Sequence, residues 1–368
     1  VTTEIPPQSD EFELSLFGPG IGECIVIHIG DGQWVVVDSC IVPGTNHPVA
    51  LSYLASLGVD LASSVSVLVV THWHDDHMEG GASLLEKSTS ATFCCSIALT
   101  KDEFFKVAAQ ANGLMARSSD VAEISRIFRV LKDRKVSHST TAFGSVKYAQ
   151  EDARLFQRLG GSAPIELWSL SPSAASITRS LQEFSQMAPE INSPKGHLPR
   201  QKANDVAVAL FLQAGDFRVL LGSDLQANTA SDRGWRAVVA SSSRPQTRAH
   251  IFKVPHHGSH NAHQSDVWRL MLEDSPVAVI TPFASGVDPL PRDTDRKRID
   301  NLTRRAYCTA PPRGWSAPRK GQPVDRVLQG RQLRAIEPKL VGHIRVRRRF
   351  QGESDFRVET LNGAYQLT

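Results

Sequence analysis

The densest chemistry in this sequence lies in one heptapeptide, Thr71-His72-Trp73-His74-Asp75-Asp76-His77. The preceding Val65-Ser66-Val67-Leu68-Val69-Val70 has the apolar, β-branched character of a buried strand, so the cluster sits at a strand end. Side chains two apart in an extended segment share a face, which lets His72 and His74 converge on one ion. Asp76 and His77 fall at the start of the helix that Gly80-Gly81 follows, aimed at a neighbouring position. Imidazoles and carboxylates are ligands for zinc and other first-row divalent metals. Three histidines and two aspartates within six residues are too concentrated for surface decoration.

Three other strand ends carry similar groups. Trp34-Val35-Val36-Val37 runs into Asp38, and an acid after a run of valines must leave the sheet or be paired. Val219-Leu220-Leu221 leads into Gly222-Ser223-Asp224, and Phe252-Lys253-Val254-Pro255 into His256-His257-Gly258-Ser259. Singly, each reads as an ordinary cap or turn. Together with the first cluster they supply the remaining ligands of a dinuclear site. No Ser-His-Asp or Cys-His arrangement stands out. His260 and His263 read as surface or core residues, Cys24 and Cys40 as small core residues, and Trp73 and Trp268 as packing residues.

The elements that must hold these groups are β-rich at the start. Phe12 to Phe17, Glu23 to Ile29 and Gln33 to Asp38 read as strands, separated by Gly18-Pro19-Gly20 and Gly30-Asp31-Gly32 turns. A helical pattern follows over Val49 to Leu57, another opens at Gly80-Gly81, and helical spacing recurs from Lys101 to Leu131. After the strand-like Ile165 to Leu170 comes a second β block: Val206 to Gln213, Phe217 to Leu221, Ile251 to Val254 and Val277 to Thr281. Two β-rich halves, each with helices, predict two layered sheets with helices outside.

Composition sets the bounds. A chain of 368 residues, 41% hydrophobic and 21% charged, can bury a large core and is not disordered. The N-terminal segment has no apolar stretch of signal-peptide type, and no apolar run approaches the roughly 20 residues that span a bilayer. Five cysteines without framework spacing suggest a reducing, cytoplasmic compartment. The net charge of +3 is uneven: Ser285 to Arg349 holds 17 Lys or Arg against 6 Asp or Glu. That density, including Arg345, Arg347, Arg348 and Arg349, is either a solvated surface or a positive rim for a polyanion.

The order Asp38, His72-x-His74-x-Asp76-His77, Asp224, His256 resembles the metallo-β-lactamase superfamily. Asn204-Asp205-Val206-Ala207-Val208-Ala209-Leu210, Leu220 to Asp224, and Val254 to Ser259 are most similar to the hydrolase domain of the DNA-uptake protein ComEC. The resemblance runs from Glu11 almost to the C-terminus. It implies an α/β protein, an αββα sandwich of two mixed β-sheets flanked by helices. One domain over residues 11–368 is expected, with a helical insertion at about 101–200 and a basic C-terminal part at about 285–368. The resemblance also implies two divalent ions at one edge, between the sheets. His72 and His74 would hold the first, Asp76 and His77 the second, and Asp224 would bridge them. His256 would complete the second site, with His257 as the alternative. Asp38 would orient a ligand histidine by hydrogen bond.

One departure bears on the metal. The superfamily's additional first-metal histidine has no clear counterpart; Asn204 occupies that stretch and His197 is the runner-up. An oxygen ligand there makes manganese as suitable as zinc. The chain also lacks a membrane channel, so DNA uptake is not implied. The expected chemistry is metal-assisted hydrolysis, with Asp76 orienting or deprotonating the attacking water. A phosphodiesterase or nuclease acting on nucleic acid or nucleotide comes first. Hydrolysis of an ester, thioester, amide or peptide is the alternative, and a metal-stabilised, non-catalytic module of a larger complex the third. Stand-alone ComEC-like hydrolases resemble effectors of bacterial defence, often with a partner ATPase.

Overall fold

Period-two alternation along the strands decides the architecture. In β1 (Glu11–Gly18), Phe12, Leu14 and Leu16 face one way, and in β2 (Cys24–Ile29) Ile25, Ile27 and Ile29 face the same way. In β10 (Phe217–Leu221), Phe217, Val219 and Leu221 do likewise from the opposing sheet. These residues form the core between the layers, and the alternate residues pack against helices on the outside. The computed structural model describes residues 5–100, 119–137, 146–187, 203–285, 289–311, 341–353 and 355–367.

Among these residues each sheet has eight strands. The first also contains β3 (Trp34–Val37), β4 (Val65–Val70), β5 (Thr92–Ser96), β6 (Val146–Ala149), β14 (Gly342–Arg349) and β15 (Arg357–Leu361), in the order β15-β14-β1-β2-β3-β4-β5-β6. The second contains β7 (Ala153–Arg158), β8 (Ile165–Ser169), β9 (Leu210–Ala214), β11 (Ala249–Lys253), β12 (Leu272–Ile280), β13 (Ala306–Cys308) and β16 (Tyr365–Gln366), in the order β16-β13-β12-β11-β10-β9-β8-β7. Outside the first sheet lie α1 (Val49–Ser56), α2 (Leu61–Ser64), α3 (Asp75–Met78), α4 (Gly81–Lys87) and α5 (Ser119–Ser137). Outside the second lie α7 (Gly234–Ala240), α8 (Ser265–Leu270) and α9 (Asp293–Leu302), while α6 (Ala174–Met187) packs beside the Asn204–Val206 turn. The result is an αββα sandwich of two mixed sheets. No helix among the described residues is long and apolar enough to cross a membrane.

Three expectations need correction. Residues 101–200 are not simply a helical insertion, because β6, β7 and β8 lie within them and supply the outermost strand of one sheet and the two outermost strands of the other. Val146-Lys147-Tyr148-Ala149 is mostly exposed, and an edge strand facing water carries little apolar signal. The span Val206 to Gln213 divides into a 3-10 turn at Asn204–Val206 and the strand β9 from Leu210. His197 and Lys101 lie outside the described residues.

The third correction concerns the basic run. Arg345, Arg347, Arg348 and Arg349 do not form an open positive rim. In β14 they stand across from carboxylates, which neutralise them: Arg345 Nε meets Glu359 Oε2 at 2.6 Å and Arg347 Nη2 meets Glu13 Oε2 at 2.6 Å. Arg348 pairs with Asp216 at 3.0 Å and lies over the Phe217 and Phe356 rings, and Arg349 pairs with Asp10 at 3.3 Å. Glu13, fully buried, also accepts a hydrogen bond from Tyr53 Oη at 2.5 Å.

These pairs differ in worth according to burial. Arg347→Ala leaves the buried Glu13 without its cation and should lower the free energy of unfolding by about 3 kcal/mol, measured by urea titration. Arg304→Ala, which breaks an exposed pair with Asp300, should cost less than about 1 kcal/mol. Equal losses in the two variants would show that Glu13 does not depend on Arg347.

Candidate metal centre

The parallel strands bring the chemistry to one edge. β3 pairs with β4, and β10 with β11, both in parallel, so Asp38 and Thr71 leave one sheet beside the point where Ser223 and His256 leave the other. The sheets are stitched there: Val208 N donates to Thr71 O at 3.1 Å, and Ser223 Oγ to Thr71 Oγ1 at 2.7 Å. Asp38, Ser223, His256 and His257 all have positive φ, from 45° to 60°, a left-handed conformation that side chains resist. Such strain persists where the surroundings over-determine it, and it concentrates at functional sites. Gly222 allows the approach, since a Cβ there would stand 2.8 Å from Lys253 O.

Two trios of potential ligand atoms form at this edge: His72, His74 and Asp224, and Asp76, His77 and His257, each within 4.8 Å of one another. His72 Nε2 and His74 Nδ1 are 3.1 Å apart. His257 Nε2 lies 3.6 Å from Asp76 Oδ2 and 3.7 Å from Asp224 Oδ2, and His77 Nε2 lies 3.5 Å from Asp224 Oδ1. His77 Nε2 and Asp224 Oδ1 are buried without a hydrogen-bond partner, as expected of atoms that share a cation. The donor set therefore fits divalent ions.

The histidine after Pro255 is not the one brought into the second trio. His256 Nε2 stands 4.0 Å from Asp224, while His256 Nδ1 meets Asn261 Oδ1 at 2.8 Å and Asn204 Nδ2 meets His256 Nε2 at 3.3 Å. The consecutive left-handed residues turn His257 inward and leave His256 at the mouth. Asn204 is buried, and its Oδ1 has no hydrogen-bond partner.

In a third grouping, Glu23, Asp38 and His77, protein donors answer Asp38 in full. Asp38 accepts from Thr71 N at 2.8 Å, Thr71 Oγ1 at 2.7 Å and His77 Nδ1 at 2.8 Å. With its Nδ1 proton held there, His77 presents the Nε2 lone pair to the site. Thr71 Oγ1 also contacts His72 Nδ1 at 3.0 Å, doing the same for His72. Thr71, Ser223, Glu23 and Lys253 brace this edge, and sequence reasoning assigned them no role. Only the charged pair carried a signal, as charges inside apolar strand segments.

The trios open into a cleft of about 590 Å³. Its lining includes the polar His74, Asp75, Asp76, Glu79, Asn204, Asp224 and His256 together with the apolar Ile21, Ile41, Phe283 and Leu290. No lysine or arginine lines it among the described residues.

Electrostatics follow from burial against local charge. Burial, aided by His77 and His74, pushes His72 well below the ordinary imidazole range. Burial also opposes charge on His77 and His257, but Asp224 and Asp76 outweigh it and hold both above that range. The same burial works against ionised Asp76 and Asp224, and the two histidines overcome it, keeping both carboxyls low. His256 is lowered, by burial first.

Residues 17–104 match the family model described as the metallo-beta-lactamase superfamily, a stretch that contains Asp38 and the His72–His77 cluster. No curated protein matches the sequence. Among solved structures, the metallo-beta-lactamase fold protein YhfI from Bacillus subtilis is 11% identical, covering 83% of this chain and 98% of its own, with a TM-score of 0.39. The short form of human tRNase Z is 10% identical, with 79% and 89% covered and a TM-score of 0.35. The MIM-2 metallo-beta-lactamase is 19% identical, with 61% of each chain covered and a TM-score of 0.30. At these identities no activity transfers. The sandwich, with its matched motif segment, has the metallo-β-lactamase fold, and the site is a candidate divalent metal centre. None of these matches singles out the ComEC hydrolase domain.

A pH response follows. Without metal, the raised histidines His77 and His257 stabilise the fold below the ordinary histidine value, and this contribution is lost as pH rises through their raised values. Chelator-treated protein should therefore lose thermal stability as pH rises above the ordinary histidine value of about 6.5. Added zinc should offset the loss, because neutral imidazoles bind it. A midpoint that rises with pH in the chelated protein would contradict this assignment of charge.

Proposed function

We propose that this chain is a metal-dependent hydrolase whose substrate is a phosphodiester in a nucleic acid or nucleotide. The supporting observation is the pair of ligand trios with partnerless His77 Nε2 and Asp224 Oδ1 facing each other at their junction. Two ions held there would supply Lewis-acid polarisation of the scissile group and lower the pKa of the attacking water. The likeness of the Asn204–Leu210 and Val254–Ser259 motifs to the ComEC hydrolase domain favours phosphodiester chemistry.

The proposed roles follow from position. His72, His74 and Asp224 would hold one ion, with Asn204 Oδ1 as an added oxygen ligand that suits manganese as well as zinc. Asp76, His77 and His257 would hold the other, with Asp224 the carboxylate that both could share. Asp76, ionised and partly open to the cleft, orients the attacking water and accepts its proton. His256 and the Asn204 amide face the substrate at the mouth.

A second reading is an ester, thioester or peptide substrate. The apolar lining residues Ile21, Ile41, Phe283 and Leu290, and the lack of lysine or arginine among the described lining residues, favour it. Assays with a chromogenic phosphodiester, labelled DNA and RNA, and chromogenic esters, each with zinc, manganese and magnesium, separate the two. Ester turnover alone would reject the phosphodiesterase reading, and bound metal with no turnover would reject both.

Two variants test the site. Asp224→Ala should reduce hydrolysis to background while the protein remains folded by circular dichroism. His257→Ala should lose one ion per chain by elemental analysis, whereas His256→Ala should keep its metal and lose turnover. The opposite pattern of metal loss would return the ligand role to His256.

A further inference from the structure

We infer that a buried ion pair, Lys253 with Glu23, is a positioning device for the metal centre, holding Asp224 through one arm and His257 through the other. This inference rests on the metal-centre reading above. Lys253 ends β11, and Glu23 precedes β2 in the opposing sheet. Both side chains are wholly buried, and Lys253 Nζ lies 2.5 Å from Glu23 Oε2.

The first arm runs to the bridging carboxylate. Lys253 Nζ donates a second hydrogen bond, at 3.2 Å, to the carbonyl of Ser223, the residue before Asp224. Ser223 has φ 45°, and the same carbonyl receives His256 N at 2.9 Å. The ammonium thus restrains the turn that aims Asp224. The second arm runs through Thr281. Its hydroxyl donates to Glu23 Oε2 at 2.6 Å, which leaves its lone pairs and its carbonyl to face His257 Nδ1 at 3.3 and 3.1 Å. His257 then donates from Nδ1 and keeps the Nε2 lone pair for Asp76 and Asp224's side of the site. Gly18 lets the threonine sit there, since a Cβ on it would meet Thr281 Cγ2 at 2.7 Å.

Stability alone does not call for this pair. Taking two charges out of water costs several kcal/mol, and apolar residues of similar volume often serve equally well or better. The two ends of this pair reach residues on either side of one cation position. Partners that orient metal ligands in this way typically change affinity by roughly 10–100-fold when removed.

The test compares metal binding with folding. Lys253→Met alone strands the Glu23 carboxylate and can unfold the protein, so the informative variant is Lys253→Met with Glu23→Leu, which removes both charges. Thr281→Val is the second variant; it cuts the hydroxyl arm and keeps the ion pair. Manganese and zinc titrations by calorimetry are read beside the unfolding midpoint of the metal-free protein. The double variant should keep or raise that midpoint and weaken the more weakly held ion roughly 10–100-fold. Thr281→Val should weaken it in the same direction by about tenfold. If the double variant does not fold, Thr281→Val decides alone. Wild-type affinity and stoichiometry in the folded variants would overturn the inference and reduce the pair to packing. A wild-type protein that binds neither metal would instead reject the metal centre itself.

Discussion

Charge cannot remain unpaired in a dry interior, and the edge between these two sheets holds an unusual amount of it. Asp38, Asp224, His72, His77 and His257 are all essentially buried, with Asp76 only slightly open. Protein donors satisfy Asp38 completely and Glu23 on one oxygen. They do not satisfy His77 Nε2 or Asp224 Oδ1. The rest of the site is arranged around that imbalance, which a cation would resolve and which metal-free protein meets by keeping His77 and His257 protonated.

Precision at such a site depends on what stands behind it. The strand ends are held by a core of interdigitated apolar side chains that tolerates little displacement. Against it, four residues with side chains adopt left-handed backbone, each at a turn that aims a functional group. Two hydrogen-bonded assemblies cross between the sheets, Asp38–Thr71–Ser223 and Lys253–Glu23–Thr281. Each ties the Nδ1 of a candidate ligand histidine to a fixed acceptor. The device recurs on both sides of the centre, although the residues that build it differ.

Among the described residues, the arginines of β14 and α9 are largely paired with nearby acids. The arginines of β14 run from the end of β1 opposite the site and are consumed by cross-strand and neighbouring carboxylates. Those of α9 pair with acids on their own helix: Arg298 meets Asp295 at 2.6 Å, and Arg296 meets Asp293. The cleft itself is lined by apolar side chains as well as carboxylates and imidazoles.

The sequence by itself determined the strands that lead into the site, the helices flanking the His72–His77 cluster and the candidate ligands, because apolar period and dense ligand spacing are local properties. β1 to β4, α1, α4, β8 and β10 to β12 are legible in that way. Edge strands β6 and β7 are not, since water covers what alternation would otherwise reveal. Only the tertiary structure decided which of His256 and His257 turns inward, because the choice depends on two successive left-handed residues packed against the opposing sheet. It also decided that Arg345, Arg347, Arg348 and Arg349 are paired, and that Lys253 meets Glu23 across 230 positions of chain. Those outcomes depend on partners distant in sequence, and no local pattern encodes a partner.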